Sequence, residues 1–302
     1  NDAYSNATFV GSQAGYNNTT NNSTFIGYQA GYDNTSGLNN TAVGYRALYS
    51  NQTGDYNCAF GQQALNSSTG NYNTALGYVA LIDNTSGYGN TSVGYASLRY
   101  ITTGYNNTAV GMWSGPTSSY STLYNTGAFG YNAHPTTHND IAIGNTSINW
   151  IGGQVTWSTY SDGRFKNNVQ ENVPGLDFIM ELRPVTYNWD IHKLDEFIGV
   201  DEDTYNEKLL QARDEQESYT YSGFIAQEVE AAADKTGYDF SGLHKPENEK
   251  NPYSLSYSNF VVPLVKSVQE QQKVIENQNE EIDNLKKQIQ YLMEEMEKVK
   301  TK

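Results

Sequence analysis

The chain has 302 residues, of which 17% are charged, with a net charge of −15 and a single cysteine. That length accommodates two ordinary domains. The negative charge argues against nucleic acid, whose phosphates require basic clusters, and a lone Cys58 excludes an internal disulfide framework or a cysteine-rich metal site.

No apolar run approaches the roughly 18 residues of a membrane span. No signal peptide is visible, and the chain opens inside a repeat, as an excised C-terminal piece would. Charge is unevenly spread. Residues 1–160 hold five acids and two bases, and the other 28 acids and 16 bases follow. Two segments under different physical rules join near residue 160.

The first segment is a repeat reading Asn-Thr-Ala-Val-Gly-Tyr-x-Ala-Leu. Its glycines are Gly11, Gly27, Gly44, Gly61, Gly77, Gly94 and Gly111, in steps of 16 or 17, with Gly130 and Gly144 continuing at steps of 19 and 14. Such a unit is too short for a helical hairpin and suits one coil of a β-solenoid. Alternation along a strand puts Val10, Ile26, Val43, Phe60, Leu76, Val93, Val110, Phe129 and Ile143 on one face, together with a row of threonines. The other face carries Phe9, Phe25, Ala42, Ala59, Ala75, Ala109 and Ala142. Both faces are thus apolar, as in a parallel sheet covered on both sides. One can fill the coil, and the other calls for a partner chain. The motif resembles the head repeats of trimeric autotransporter adhesins, which implies a parallel β-roll packed three-fold over about residues 1–145. We see no catalytic cluster here, and His134 and His138 read as surface polar residues rather than metal ligands.

The repeat stops after Trp150-Ile151-Gly152-Gly153. Next come Ser161-Asp162-Gly163-Arg164-Phe165-Lys166, then a helix carrying Leu176, Ile179 and Leu182 and ended by Pro184. A strand is expected over Val185–Trp189. A polar, acidic insertion follows from Asp190 to Glu217, with helical pattern around Tyr205–Ala212. Tyr221–Val229 reads as strand into helix, and Tyr253–Tyr257 as a short strand. The final helix has heptads with Val261, Val268, Ile275, Ile282, Ile289 and Met296 at a, and Leu264, Gln271, Gln278, Leu285, Leu292 and Val299 at d. This is a coiled-coil signal, and in a parallel bundle Glu281 meets Lys286 and Glu295 meets Lys300.

The ordered motifs Ser-Asp-x-Arg-x-Lys, Leu-x-x-Ile-x-x-Leu-x-Pro-Val-x-Tyr-x-Trp and Gly-Phe-Ile-Ala-Gln-Glu-Val, followed by a Tyr-rich strand and a coiled coil, resemble the intramolecular chaperone domain of phage tailspikes and endosialidases, peptidase family S74. The resemblance covers about residues 158–302. It implies a homotrimeric chaperone that assembles the upstream fibre and then cuts itself off with a Ser-Lys dyad. Ser161 would be the nucleophile and Lys166 its base, with cleavage beside Tyr160, Ser161 or Asp162. A serine hydroxyl needs such a base, and a lysine serves if burial or a positive neighbour such as Arg164 disfavours its charged form. Asp162 reads as a turn former.

The expected architecture is a mainly β trimeric shaft at 1–150, a linker at 151–160, a small α+β chaperone and autoprotease domain at 161–259 and a parallel coiled coil at 260–302. The expected function is part of an extracellular surface fibre or virion tail fibre that uses no cofactor and no metal. Its partners would be its own copies and a cell-surface receptor or glycan, without nucleic acid or membrane insertion. The alternatives are a non-cleaving adhesin stalk and a host-receptor-binding module carried by the insertion.

Overall fold

The computed structural model describes residues 6–201 and 205–300, without the Lys300 side chain. The expected Glu295–Lys300 pair therefore lies outside the described residues. The chain divides into two compact units, one of residues 1–152 with 188–219, the other of 153–187 with 220–302.

The first unit is a β-solenoid. Nine strands of three residues each, β1 (Thr8–Val10), β2 (Thr24–Ile26), β3 (Thr41–Val43), β4 (Cys58–Phe60), β5 (Thr74–Leu76), β6 (Thr91–Val93), β7 (Thr108–Val110), β8 (Gly127–Phe129) and β9 (Ile141–Ile143), form one parallel sheet in sequence order. Register is repeat on repeat: Thr24 pairs with Thr41, Ala42 with Ala59, and Val43 with Phe60. The middle residue of each strand points inward, and from Phe25 to Ala128 it is buried. The two flanking residues point outward. Val10, Ile26, Phe60, Leu76, Val110, Phe129 and Ile143 form an apolar stripe whose members are 38% to 55% exposed.

A three-residue strand supplies only one inward side chain, so the corners must fill the rest of each coil. They do so by exchanging volume with the strand. Where the strand contributes Phe9 or Phe25, the corner six residues on is Gly15 or Gly31, and a Cβ on Gly31 would lie 2.6 Å from the Phe25 ring. Where the strand contributes Ala42, Ala59 or Ala75, the corner is Leu48, Leu65 or Leu81, each fully buried. These leucines adopt left-handed φ values of 51–53°, a conformation that costs an L-residue about 1–2 kcal/mol and that burial of the side chain offsets. At the other corner the coils approach too closely for any side chain. A Cβ on Gly44 (φ +137°) would lie 2.6 Å from the Gly61 carbonyl oxygen.

Asparagines satisfy the buried backbone on the remaining side. Asn40, Asn57, Asn73, Asn90 and Asn107 are buried. The Oδ1 of each of the first four accepts from the next one's backbone N–H, at 2.9 to 3.1 Å. Their side-chain amides donate onward, as Asn57 does to the Gly70 carbonyl at 2.8 Å. Outside, tyrosines stack coil on coil, for example Tyr88, Tyr105 and Tyr124 at 4.9 Å between centroids. His134 and His138 are half-buried rather than surface residues. His134 Nδ1 lies 2.6 Å from the Gly115 carbonyl, and His138 stacks on Tyr124 at 4.0 Å.

The acidic segment after Asn188 folds as part of this unit. It forms α1 (Ile191–Ile198), capped by Asp190, and α2 (Glu207–Glu217), capped by Asn206. Between them lies an ion pair, Asp195 with Arg213 at 2.6 Å, both wholly buried. Thr146 donates to Asp195 at 3.1 Å, and Thr117 to the Ile198 carbonyl at 3.0 Å, tying the segment to the last coils.

The second unit is small and α/β, with a long helix. A helical turn, αN (Leu176–Ile179), stands where the longer helix ending at Pro184 is expected. A two-stranded antiparallel ribbon pairs β10 (Val185–Tyr187) with β11 (Tyr221–Gly223), and a second pairs β12 (Leu243–His244) with β13 (Ser254–Leu255). The helix α3 (Ala226–Thr236) completes the core, in which Phe178, Val229, Ala232, Ala233, Phe240 and Phe260 are buried. The final helix α4 (Val261–Lys300) runs 40 residues, about 60 Å at 1.5 Å per residue. Its apolar a and d side chains are 43% to 75% exposed in the single chain. No helix among the described residues is long and apolar enough to cross a membrane.

Two outcomes follow from the solenoid core. Leu65→Ala should destabilise the shaft by about 2–5 kcal/mol. Ala59→Phe alone should overpack its coil by about 1–3 kcal/mol, and adding Leu65→Gly should recover most of that loss, a coupling that a double-mutant cycle in denaturant reads directly. Additive losses would mean that strand and corner do not share the same space. The second outcome is a pH response. Burial holds the His134 imidazole below its ordinary value, with the Gly115 bond opposing in part. The unfolded chain then binds the extra proton first. Stability from this group is complete above the unfolded value of about 6.5 and is lost as pH falls through it toward the folded value. Thermal melting should fall from pH 7.5 to about 5.5, and His134→Gln should flatten that decline; an unchanged slope would assign it elsewhere.

Candidate functional site

Ser161 and Lys166 sit in the second unit, on either side of a tight turn. Asp162 makes the turn. Its Oδ1 accepts from the Arg164 backbone N–H at 2.9 Å and caps a single 3-10 turn over Gly163–Phe165. The turn closes through the Lys166 N–H, which donates to the Gly163 carbonyl at 3.2 Å. The reversal brings two side chains five residues apart face to face, and Lys166 Nζ lies 2.7 Å from Ser161 Oγ. That is the heavy-atom distance a proton transfer between nucleophile and base requires.

Arg164 has a different role from the one its position suggests. Rather than bearing on Lys166, its guanidinium folds back on Asp162, with Nε at 3.1 and 3.0 Å from the two carboxylate oxygens and Nη2 at 2.6 Å. The bonds to the Arg164 side chain, and then to its backbone, hold the Asp162 carboxyl below the usual carboxylate range. A negative partner thus compensates the positive charge of Arg164. The sequence carried the signal in the i, i+2 spacing of Asp162 and Arg164 around a glycine, which permits this fork.

Tyr160, Ser161, Arg164, Phe165 and Lys166 are all exposed, and Asp162 is half-buried. Val155, Trp157, Tyr160, Phe165 and Val169 make the segment around the dyad a run of exposed apolar side chains. A lysine serves as a base only once deprotonated, and burial is what drives that change. One chain supplies the dyad's distance but not its enclosure. Among the described residues no group of His, Cys, Asp or Glu has the arrangement of a metal site.

No curated protein and no solved structure matched this chain. Residues 161–238, beginning at Ser161 itself, match the Peptidase_S74 family model, described as chaperone of endosialidase.

Proposed function

We propose that this chain forms a homotrimeric fibre segment whose C-terminal part templates assembly and then releases itself by cutting beside Ser161. An S74 chaperone segment behind a β-solenoid fits a tail-fibre-like protein. The observation that carries the reading further is the heptad seam of α4, whose apolar a and d residues stand in water along 40 residues. Each such side chain is stabilised by about 1.5–3 kcal/mol on full burial, so the helix has a strong drive to associate with copies of itself. The outward stripe of the solenoid strands has the same need. The family resemblance supports three as the number of copies, and trimerised helices raise the local concentration of three shafts.

The chemistry follows from the 2.7 Å pair. Ser161 Oγ attacks the carbonyl carbon of Tyr160 through a five-membered ring, while neutral Lys166 takes the hydroxyl proton. The Tyr160–Ser161 C–N bond breaks as Lys166 returns that proton to the departing nitrogen, leaving Tyr160 esterified to Ser161 Oγ. Water then hydrolyses the ester to a Tyr160 carboxylate and a free Ser161 amine. Attack on the following carbonyl would need a four-membered ring within one chain. Cleavage at Ser161–Asp162 therefore requires the serine of a neighbouring copy.

Intact-mass analysis and N-terminal sequencing test this. A released piece starting at Ser161 supports the intrachain shift, and one starting at Asp162 supports attack between copies. Ser161→Ala and Lys166→Ala should each give an uncut chain that still sediments as a trimer, with the rate reduced by at least about 100-fold. Cleavage of Ser161→Ala at the same bond and rate would remove Ser161 as nucleophile. For the template, Ile282→Asp with Ile289→Asp should abolish soluble folded shaft, and normal shaft yield would show that α4 is dispensable.

A further inference from the structure

The acidic segment is an arm whose contacts lie on the far side of the cut. The strands that flank it, β10 and β11, belong to the second unit and pair Tyr187 with Tyr221. At the base of the arm Asn188 Nδ2 donates to the Tyr219 carbonyl at 2.8 Å. The chain thus leaves the ribbon and returns to it at one point. Yet residues 188–219 form one compact unit with residues 1–152. A break at Tyr160–Ser161 therefore puts the shaft in one piece and the arm that packs on it in the other.

Two departures from pattern meet at this contact. The longest step of the repeat, 19 residues from Gly111 to Gly130, carries a 3-10 turn over Ser118–Tyr120. Helix α1 ends against that turn. Its C-cap Gly199 has φ +76°, and a Cβ there would lie 3.2 Å from Thr117 Oγ1 and 3.3 Å from Ser119 Oγ. The buried Thr117 donates to the Ile198 carbonyl at 3.0 Å. A helix leaves its last carbonyls without partners of its own, so the shaft supplies a cap that the arm lacks. Apolar contact continues beyond the cap. Ile198, Val200 and Tyr205 are buried in a cluster that Tyr131 of the shaft shares, with the Tyr205 and Tyr131 rings edge to face at 6.2 Å. In the following coil Thr146 donates to the buried Asp195 at 3.1 Å. Withdrawing the arm would return that apolar surface to water, which opposes it.

We infer that the arm is a clasp that holds the two pieces together after the bond between them is cut. Cutting and release are then separate events, and release waits on withdrawal of the arm from the shaft. That ordering rests on the cleavage proposed above, whereas the clasp itself does not. In a trimer three clasps act at once, and their joint hold exceeds that of one.

The test makes the cut with an added protease in the Ser161→Ala chain, so its outcome is independent of whether the chain cuts itself. A recognition sequence for a site-specific protease is inserted between Gly153 and Gln154, within the exposed stretch 151–160. After complete digestion the two pieces should elute together in gel filtration at about 10 µM, as a Kd on the order of 1 µM or tighter requires. Replacing residues 188–220 by Asn-Gly closes β10 and β11 with the turn that two-residue hairpins favour, and the digested pieces of this chain should elute apart. Tyr131→Gln places in the eighth coil the residue that the fourth carries as Gln62, and Thr117→Val removes the cap at nearly constant shape. Together they leave the arm's own helices untouched and should weaken the association at least about tenfold, read by diluting the digested complex. Separate elution with the arm intact, or joint elution without it, would overturn the clasp. Should the shortened chain fail to fold, the Tyr131→Gln, Thr117→Val chain decides, and unchanged affinity there overturns it equally.

Discussion

A three-residue strand can point only one side chain into its own coil. The shaft's architecture is the working-out of that constraint. With one inward residue per strand, the coil is filled from its corners, which is why Phe25 stands over Gly31 while Ala59 stands over Leu65. The backbone facing inward cannot reach water, so asparagine amides bridge coil to coil, since a buried unpaired backbone group costs about as much as a lost hydrogen bond. The other two strand residues face outward, and one of them is apolar at nearly every rung. The sheet is therefore complete along its axis and incomplete across it.

That axial regularity carries a cost in specificity. Every coil offers nearly the same threonine, the same outward aliphatic residue and the same stacked tyrosine. Three such shafts sliding past one another by one coil would lose only the contacts of the terminal rung. Lateral hydrophobic contact thus favours association but discriminates poorly between registers. A non-repeating element on the same chain can supply the missing information. The α4 helix is such an element: its seam is aliphatic at most layers but carries Gln271 and Gln278 at consecutive d positions. Polar layers in a coiled-coil core set register at some cost in stability. On the reading proposed above, the shaft provides the adhesion and the helix provides the alignment.

Much of this was legible in the sequence, because periodicity reports directly on which side chains share a face. The glycine spacing marked the coils, strand alternation separated the inward from the outward set, and the heptads marked α4. The corner leucines were not legible as such. Leu48, Leu65, Leu81 and Leu98 sit in left-handed backbone that local preference assigns to glycine or asparagine, and only the volume left by the small strand residue makes them favourable. In sequence the acidic segment after Asp190 shows only as a polar insertion with some helical pattern. In the structure it holds two capped helices around the buried Asp195–Arg213 pair. A charge run gives no hint of burial, because the compensating partner is distant in sequence and only tertiary packing brings it close. Removing one member of such a pair leaves an uncompensated buried charge and costs about 3–5 kcal/mol, whereas replacing both by well-packed apolar residues can be neutral.

The Ser161–Lys166 pair divides along the same line between what is local and what is not. Its distance is set entirely by neighbours in sequence: Asp162 caps the turn, Gly163 permits it, and Arg164 folds back to neutralise the cap. No tertiary contact is needed to bring Nζ to 2.7 Å from Oγ. The environment that would turn that distance into reactivity is a different matter. Deprotonating a lysine takes enclosure, and the exposed Trp157, Tyr160 and Phe165 beside the dyad are side chains that copies of the chain could use to provide it. A pair assembled locally and enclosed only by association would, under the proposed function, stay inactive in the lone chain. Under the proposed function, the same hydrophobic contacts that complete the fibre would lower the barrier to cutting it free.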